Sequence, residues 1–239
     1  MSLRSLFQRV TNALSYGVYK ADPASSNATE NYLLWYYYNH VWQTTSWMGI
    51  PTLKTPTDLW NYQEILFELK PSLIVEFGSC KGGSALFFST IARSFGKPYR
   101  VMSVDIDPES IYESARLDSN IEFLTSSSTA PAVAERIRVL RAQYPGPVFA
   151  ILDSDHTMDH VYAEMVLLRP LLQPGDYMVV EDTIINGHPI LPNWGPGPHE
   201  AVEKYRSNFP HDYTRDLTRE NKFGFTFAQN GFWKRTGHA

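Results

Sequence analysis

The chain has 239 residues, of which 43% are hydrophobic and 19% are charged, a composition typical of a globular protein that excludes a disordered or fibrous one. Its formal net charge of −4 offers no basic surface for a phosphate backbone, so we expect no nucleic-acid partner. Cys80 is the only cysteine, which excludes an internal disulfide bond and fits a reducing compartment, which we take to be the cytoplasm.

Residues 1–55 are predicted to form a helical and aromatic extension in front of the main domain. Apolar residues recur at helical spacing before Lys20, in a stretch with basic but no acidic residues, which predicts an amphipathic helix. Aromatic residues are dense between Tyr32 and Trp47 and must pack on the domain, at an interface or against a substrate. We also expect a homo-oligomer. No apolar run is long enough to form a transmembrane segment.

Residues 56–239 are predicted to form one α/β domain. A helix with Pro56 at its first position is followed by short apolar strands that alternate with amphipathic helices, from SLIVEF to DYMVVED. This alternation is typical of a mostly parallel sheet with helices on both faces, a Rossmann-like fold. After a loop rich in proline and glycine at 183–198 and a helix near 199–208, FGFTFAQ and GFWKR are two possible closing strands.

The first strand leads into the segment VEFGSCKGGSALF, where glycines allow a ligand to approach the backbone closely. A dinucleotide fingerprint would need glycine in place of Cys80, which argues against an oxidoreductase that uses NAD. The pattern E-x-G-x-x-x-G-G resembles the first motif of class I methyltransferases that use S-adenosylmethionine, whose acid faces the cationic methionine end of the cofactor. The resemblance implies that the cofactor is bound by Glu76, Gly78, Ser79, Gly82, Gly83 and Ser84.

The next two strands end in residues that suit a nucleoside. Asp105 closes the second strand, where an acid can accept hydrogen bonds from both hydroxyls of a ribose. Asp107 is the alternative, although its place before Pro108 favours capping of the next helix. Ser127 follows the third strand, where the same class of methyltransferase binds the adenine edge, and a serine there could also act as a helix cap.

Acids also follow the fourth and fifth strands, at Asp153, Asp155, Glu181 and Asp182. The carboxyl ends of parallel strands meet at one edge of a sheet, so these carboxylates would repel one another if they were left unbalanced. Helix capping or salt bridges would explain one or two of them. A divalent cation would balance all of them, and oxygen ligands favour Mg²⁺.

Several longer segments resemble the cephalosporin hydroxylase/rhamnosyl O-methyltransferase family over residues 46–205. They are MGIPTLKTPTDLWNYQEILFELKPSLIVEFGSCKGGSALF, ILDSDHTMDHV, PGDYMVVEDTIINGHP and GPGPHEAV. The resemblance implies a class I methyltransferase fold that binds S-adenosylmethionine and magnesium. It further implies methyl transfer to a hydroxyl of a small acceptor, a rhamnosyl-like glycoside or a polyketide-like product, over which the loop at 183–198 would close.

The chain is more distantly similar to metal-dependent catechol, macrolide and aminocoumarin sugar O-methyltransferases. That similarity implies that Asp153, Glu181 and Asp182 hold the metal, with Asp153 also beside the cofactor and Asp155 as the alternative to it. The catechol enzymes carry a catalytic lysine where this chain has His156, so the general base is either His156 or Asp155. Asp155 is slightly favoured, because it can point back into the pocket, whereas His156 is expected to begin the next helix. A non-catalytic scaffold that binds S-adenosylmethionine and partners an enzyme such as an oxygenase is the alternative function, although a scaffold has no need of four clustered acids.

Overall fold

The computed structural model describes residues 27–107 and 109–237. The amphipathic helix predicted before Lys20 lies outside the described residues. The described chain begins with α1 (Ala28–Tyr38), capped by the Asn27 side chain, which accepts a hydrogen bond from the backbone N–H of Glu30. A short 3-10 helix (Val41–Thr44) and an antiparallel ribbon of β1 (Ser46–Trp47) and β2 (Ile50–Pro51) follow.

The main domain then alternates strands and helices. In chain order its elements are α2 (Pro56–Leu69), β3 (Leu73–Phe77), α3 (Gly83–Arg93), β4 (Arg100–Asp105), α4 (Glu113–Arg116), β5 (Ile121–Thr125), α5 (Pro131–Gln143), β6 (Val148–Leu152), α6 (Met158–Leu168), β7 (Tyr177–Val180), α7 (Pro198–Asn208), β8 (Tyr213–Arg215), α8 (Leu217–Asn221) and β9 (Phe232–Arg235).

Strands β3 to β9 form one seven-stranded sheet in the order β5-β4-β3-β6-β7-β9-β8. The pairs among β3 to β7 are all parallel, and β9 runs antiparallel to both β7 and β8. The predicted mostly parallel sheet is therefore confirmed. Because β4 lies on one side of β3 and β6 on the other, the strand order reverses at β3, and this is where open α/β sheets bind their ligands.

Helices cover both faces of the sheet, as predicted. Helices α5, α6 and α7 pack on one face through residues such as Ile137, Met165 and Tyr205, and α2 and α3 pack on the other through Ile65 and Phe88. The strands are buried on both faces, which explains why they read as continuous apolar runs in the sequence. No helix in the described ranges has the length and hydropathy of a membrane span. The predicted homo-oligomer concerns more than one chain and stays a prediction.

One of the two predicted closing strands is wrong. GFWKR contains β9, but FGFTFAQ is irregular, and β8 lies earlier in the chain. The Asp58 carboxylate on α2 accepts hydrogen bonds from the hydroxyl of Thr226 at 2.5 Å and from the backbone N–H of Phe227 at 2.9 Å. The aromatic residues of FGFTFAQ pack against α1, where the rings of Tyr36 and Phe227 lie 6.1 Å apart. Side-chain packing and this carboxylate therefore replace the pairing of a strand.

Candidate active site

A cavity of about 1000 Å³ opens at the carboxyl ends of the parallel strands. Its wall combines the loops after β3, β4, β5, β6 and β7 with residues of α1, the 3-10 helix and the loop at 183–198. Most residues predicted to bind the cofactor line this cavity, namely Gly78, Ser79, Gly83, Ser84, Asp105, Ser127 and Asp153, whereas Glu76 and Gly82 do not.

The three glycines of the first motif are required by contacts within the protein. A Cβ on Gly78, which has a φ of +99°, would lie 1.9 Å from the carbonyl oxygen of Asp153, so β3 and β6 could not come this close. A Cβ on Gly82 would lie 2.9 Å from the side chain of Ala115, and one on Gly83 would lie 2.5 Å from the carbonyl oxygen of Pro51. These glycines therefore allow the chain itself to pack closely around the loop, and their contact with the cofactor stays a prediction.

Glu76 lies in the sheet directly before this loop and is fully buried. The Ser103 hydroxyl donates to its Oε2, while its Oε1 has no hydrogen-bond partner among the described residues. Burial raises the pKa of Glu76 to about 7, although the hydroxyls of Ser103 and Ser84 and the charge of Lys54 lower it in part. A buried carboxylate with an unpartnered oxygen is costly unless a ligand satisfies it.

Asp105 is fixed at the cavity wall by backbone groups. Its Oδ2 accepts hydrogen bonds from the N–H groups of Ser79 and Cys80, both at 2.9 Å, and its Oδ1 accepts one from Asp107 at 2.9 Å. Asp107 itself accepts from the N–H of Glu109 in a turn. The prediction that Asp107 caps the next helix is wrong, because α4 begins only at Glu113 and Asp107 lies in the turn well before it.

The acids after β6 and β7 meet around a lysine that the sequence analysis missed. The Nζ of Lys54 lies 2.6 Å from Oδ2 of Asp153 and 3.0 Å from Oε1 of Glu181, and its side chain is 1% exposed. The hydroxyl of Tyr62 donates to the same Oε1 of Glu181 at 2.5 Å. Although burial alone lowers the pKa of Lys54, the charges of Asp153 and Glu181 raise it overall. Lys54 is therefore a positive charge inside the acidic cluster.

Asp153 and Asp182 also come together with a histidine. One ligand atom from each of Asp153, His156 and Asp182 lies within 4.8 Å of the others, and Nε2 of His156 is 3.2 Å from Oδ2 of Asp182. Burial raises the pKa of Asp182, and His156 lowers it in part. Glu181 stands next to this group but faces Lys54 and Tyr62, and burial raises its pKa to about 8. Asp153 thus belongs both to the ion pair with Lys54 and to the group of three possible ligands, whereas Glu181 faces Lys54 and Asp182 faces His156.

Asp155 and His156, the two candidates for the general base, differ in their surroundings. Asp155 lines the cavity but is exposed, and its Oδ1 accepts a hydrogen bond from the backbone N–H of Thr157 at 2.8 Å, just before α6. His156 precedes the helix, which begins at Met158, and its ring faces Asp182. The sequence expectation that His156 begins the helix is therefore wrong.

The loop at 183–198 is attached to the segment that carries His156. The indole N–H of Trp194 donates to the carbonyl oxygen of His156 at 3.2 Å, and the N–H of Met158 donates to the carbonyl of Pro196 at 3.0 Å. Trp194 also lines the cavity, together with Tyr37 and Trp42 from the N-terminal part of the chain. These aromatic rings form an apolar wall that suits one face of a sugar or an aromatic acceptor.

The sheet order, the glycine loop, the acid that ends β4 and the acidic cluster together define a class I methyltransferase dependent on S-adenosylmethionine. A family described as Rhamnosyl O-methyltransferase/CmcI matches residues 39–236, and the chain belongs to this family. It is accordingly an O-methyltransferase, which excludes both the NAD-dependent oxidoreductase and the non-catalytic scaffold considered above.

Curated relatives from mycobacteria carry the name rhamnosyl O-methyltransferase. The protein of Mycobacterium leprae is 58% identical over 208 residues, which is 87% of this chain and 90% of the relative. The protein of Mycobacterium tuberculosis is 56% identical over 208 residues, which is 87% of this chain and 85% of the relative.

Solved structures of CmcI share the fold. An apo structure matches with a TM-score of 0.67 at 24% identity over 82% of this chain and 77% of the other. A CmcI structure with Mg and SAM matches with a TM-score of 0.66 at 24% identity over 82% and 78% of the two chains. At this identity the likeness supports the fold alone.

Proposed function

We propose that the protein transfers the methyl group of S-adenosylmethionine to a hydroxyl of a rhamnosyl residue, and that the reaction requires Mg²⁺. The observation that carries this proposal is the meeting of Asp153, Asp182 and His156 in a cavity whose wall also presents Asp105. The names of the relatives from Mycobacterium leprae and Mycobacterium tuberculosis, which match across most of their length, support the rhamnosyl acceptor.

The residues beside the glycine loop fit S-adenosylmethionine. The unpartnered Oε1 of Glu76 suits the ammonium group at the methionine end, and Asp105 retains lone pairs for the ribose hydroxyls. The cavity of about 1000 Å³ is large enough to hold a nucleoside together with a sugar acceptor. We place Ser79, Ser84 and Ser127 along the same ligand, since all three line the cavity.

The acidic cluster fits one divalent cation. Asp153, Glu181 and Asp182 carry three negative charges when ionised, and Lys54 supplies one positive charge, so the excess matches the charge of Mg²⁺. Carboxylate oxygens are also the ligands that Mg²⁺ prefers. Asp153, Asp182 and Glu181 would hold the ion.

The metal, when bound, supplies positive charge that lowers the pKa of an acceptor hydroxyl. The chain itself orients the acceptor through the aromatic wall of Tyr37, Trp42 and Trp194, which also excludes water. We assign removal of the hydroxyl proton to the imidazole of His156, which lines the cavity, rather than to the Asp155 carboxylate, which already accepts the N–H of Thr157. S-adenosylmethionine, when bound, would supply the methyl group, whose bond to sulfur breaks as its bond to the acceptor oxygen forms, and S-adenosylhomocysteine would be released.

Isotope transfer tests this function directly. Purified protein is incubated with methyl-labelled S-adenosylmethionine, Mg²⁺ and a rhamnosyl glycoside, and the label in the glycoside is counted. The control is the same aglycone that carries glucose. We expect label in the rhamnosyl compound only, whereas equal labelling of both glycosides, or of neither, would contradict the proposed acceptor.

We predict that Asp105→Ala weakens the binding of S-adenosylhomocysteine by about 1.5–3 kcal/mol, because hydrogen bonds to a charged acceptor are lost. Titration calorimetry measures the change, and Asp107→Ala is the matched control because Asp107 does not line the cavity. An unchanged dissociation constant for Asp105→Ala would show that the ribose does not bind to Asp105.

We predict that His156→Ala lowers kcat by about 100-fold or more, as expected when a general base is lost, whereas Asp155→Asn lowers it by less than about tenfold. Both variants are also titrated with S-adenosylhomocysteine and with Mn²⁺, so that a loss of ligand binding is separated from a loss of proton transfer. If Asp155→Asn shows the larger fall in kcat with both ligands still bound, Asp155 is the base.

A further inference from the structure

A buried glutamate lies behind the part of the cavity wall that the loops after β5 and β6 form. Glu164 on α6 is fully buried, and its Oε1 accepts hydrogen bonds from the hydroxyls of Ser128 and Ser154, both at 2.5 Å. The two serines follow β5 and β6, and both line the cavity. Glu164 therefore joins two loops of the ligand site without lining the cavity itself.

These contacts determine which way the serine hydroxyls point. A hydroxyl has one proton, so a serine that donates to Glu164 can only accept a hydrogen bond from a ligand. Nε2 of His160 lies 2.9 Å from Oγ of Ser128 and 3.3 Å from Oε1 of Glu164, so this nitrogen carries a proton and donates. The oxygens of Ser128 and Ser154 thus present lone pairs to the cavity and no proton.

The position of this group along the sheet indicates which part of the ligand it meets. The order β5-β4-β3-β6-β7 places Asp105, at the end of β4, between the glycine loop after β3 and Ser128 after β5. Ser154 follows β6, but its hydroxyl shares Oε1 of Glu164 with that of Ser128 and therefore lies close to it. A nucleoside whose ribose is held by Asp105 and whose methionine end lies at the glycine loop therefore extends its base toward Ser128. This step rests on the proposed binding of S-adenosylmethionine.

We propose that Glu164 is a positioning residue that sets the base selectivity of this site. Because Glu164 accepts hydrogen bonds from the hydroxyls of Ser128 and Ser154, both serine oxygens can act only as acceptors toward a ligand. Two acceptors match the exocyclic amino group of adenine, which donates two hydrogen bonds. A hypoxanthine base has a carbonyl oxygen at that position and would face the same lone pairs without a proton between them. Oε2 of Glu164 has no hydrogen-bond partner among the described residues, so Oε1 alone connects the carboxylate with the two serines and with His160.

The test compares two ligands that differ only in the base, S-adenosylhomocysteine and its deaminated analogue S-inosylhomocysteine, by titration calorimetry. We expect the unchanged protein to prefer the adenosyl compound by roughly 10- to 100-fold, because the analogue leaves buried acceptors unsatisfied. In Glu164→Gln the side-chain amide can donate to the serines and free their protons for the ligand, so we expect the preference to fall below about threefold.

Asp105→Ala is the matched control, because it should weaken both ligands by the same factor and leave their ratio unchanged. Ser154→Ala provides a second variant if Glu164→Gln does not unfold cooperatively, and it should also reduce the preference. Equal binding of both ligands by the unchanged protein, or an unaltered preference in Glu164→Gln and Ser154→Ala, would overturn the inference while the proposed function stands. If the unchanged protein binds neither ligand, the proposed function fails, and this inference fails with it.

Discussion

Replacing Asp182 with asparagine will lower methyl transfer by about 100-fold or more, and excess chelator will have the same effect on the unchanged protein. Asp182 stands 3.2 Å from His156 in the group of three ligands and is the acid of that group whose pKa burial raises. A carboxylate that is costly to ionise in the metal-free protein is the one that a bound cation stabilises most. Its removal should therefore weaken metal binding strongly. Turnover and Mn²⁺ binding by calorimetry measure the two effects.

Asp182→Asn should not reduce the stability of the metal-free protein, although it reduces activity. Asparagine removes a partly buried negative charge near Asp153, so the metal-free variant should melt at the same or a higher temperature than the unchanged protein. Mg²⁺ should no longer raise the melting temperature of this variant. Asp159→Asn is the matched control, since Asp159 is an exposed acid on α6. Full turnover in excess chelator, or normal Mn²⁺ binding by Asp182→Asn, would refute the metal mechanism.

The sheet and the acids at its edge were predictable because their signals are local. A strand buried on both faces reads as a short apolar run, and the residue after it lies at the carboxyl edge whatever the rest of the fold does. This reasoning placed Asp105, Asp153 and Asp182 in one cavity. It failed for FGFTFAQ, whose alternating apolar residues predicted a strand. There the carboxylate of Asp58, which is distant in the sequence, accepts the hydrogen bonds of the chain in place of a neighbouring strand.

Lys54 was missed because its partners are distant in the sequence. No periodicity or motif connects a lysine with carboxylates that follow β6 and β7. The available signal was that Lys54 is the only Lys, Arg, Asp or Glu between Glu30 and Asp58. The division predicted between residues 55 and 56 also placed Lys54 in the extension, outside the domain that holds the acids.

His156 illustrates a different limit, which is the exact start of a helix. A difference of two residues at the start of α6 decides whether this ring belongs to the helix or to the loop that faces Asp182. Boundaries of this kind depend on tertiary contacts, here the hydrogen bonds that Trp194 and Pro196 of the loop at 183–198 make with residues 156–158.

Lys54→Met will destabilise the metal-free protein by about 3–5 kcal/mol, as expected when one partner of a buried ion pair is removed. The substitution keeps the length of the side chain but leaves the carboxylates of Asp153 and Glu181 without the cation that lies 2.6 and 3.0 Å from them. Urea unfolding in excess chelator measures the loss, and the exposed Lys97→Met is the matched control, with an expected change within about 0.5 kcal/mol.

Divalent cations should partly restore this variant, because the excess negative charge of the cluster has grown by one. We therefore expect saturating Mn²⁺ to raise the free energy of unfolding more in Lys54→Met than in the unchanged protein. Tyr62→Phe separates charge from hydrogen bonding, since it removes only the hydroxyl that donates to Glu181 and should cost about 1–3 kcal/mol without altering the response to Mn²⁺. An equal response to Mn²⁺ in Lys54→Met and the unchanged protein would mean that Lys54 packs beside the cluster without contributing to its charge balance.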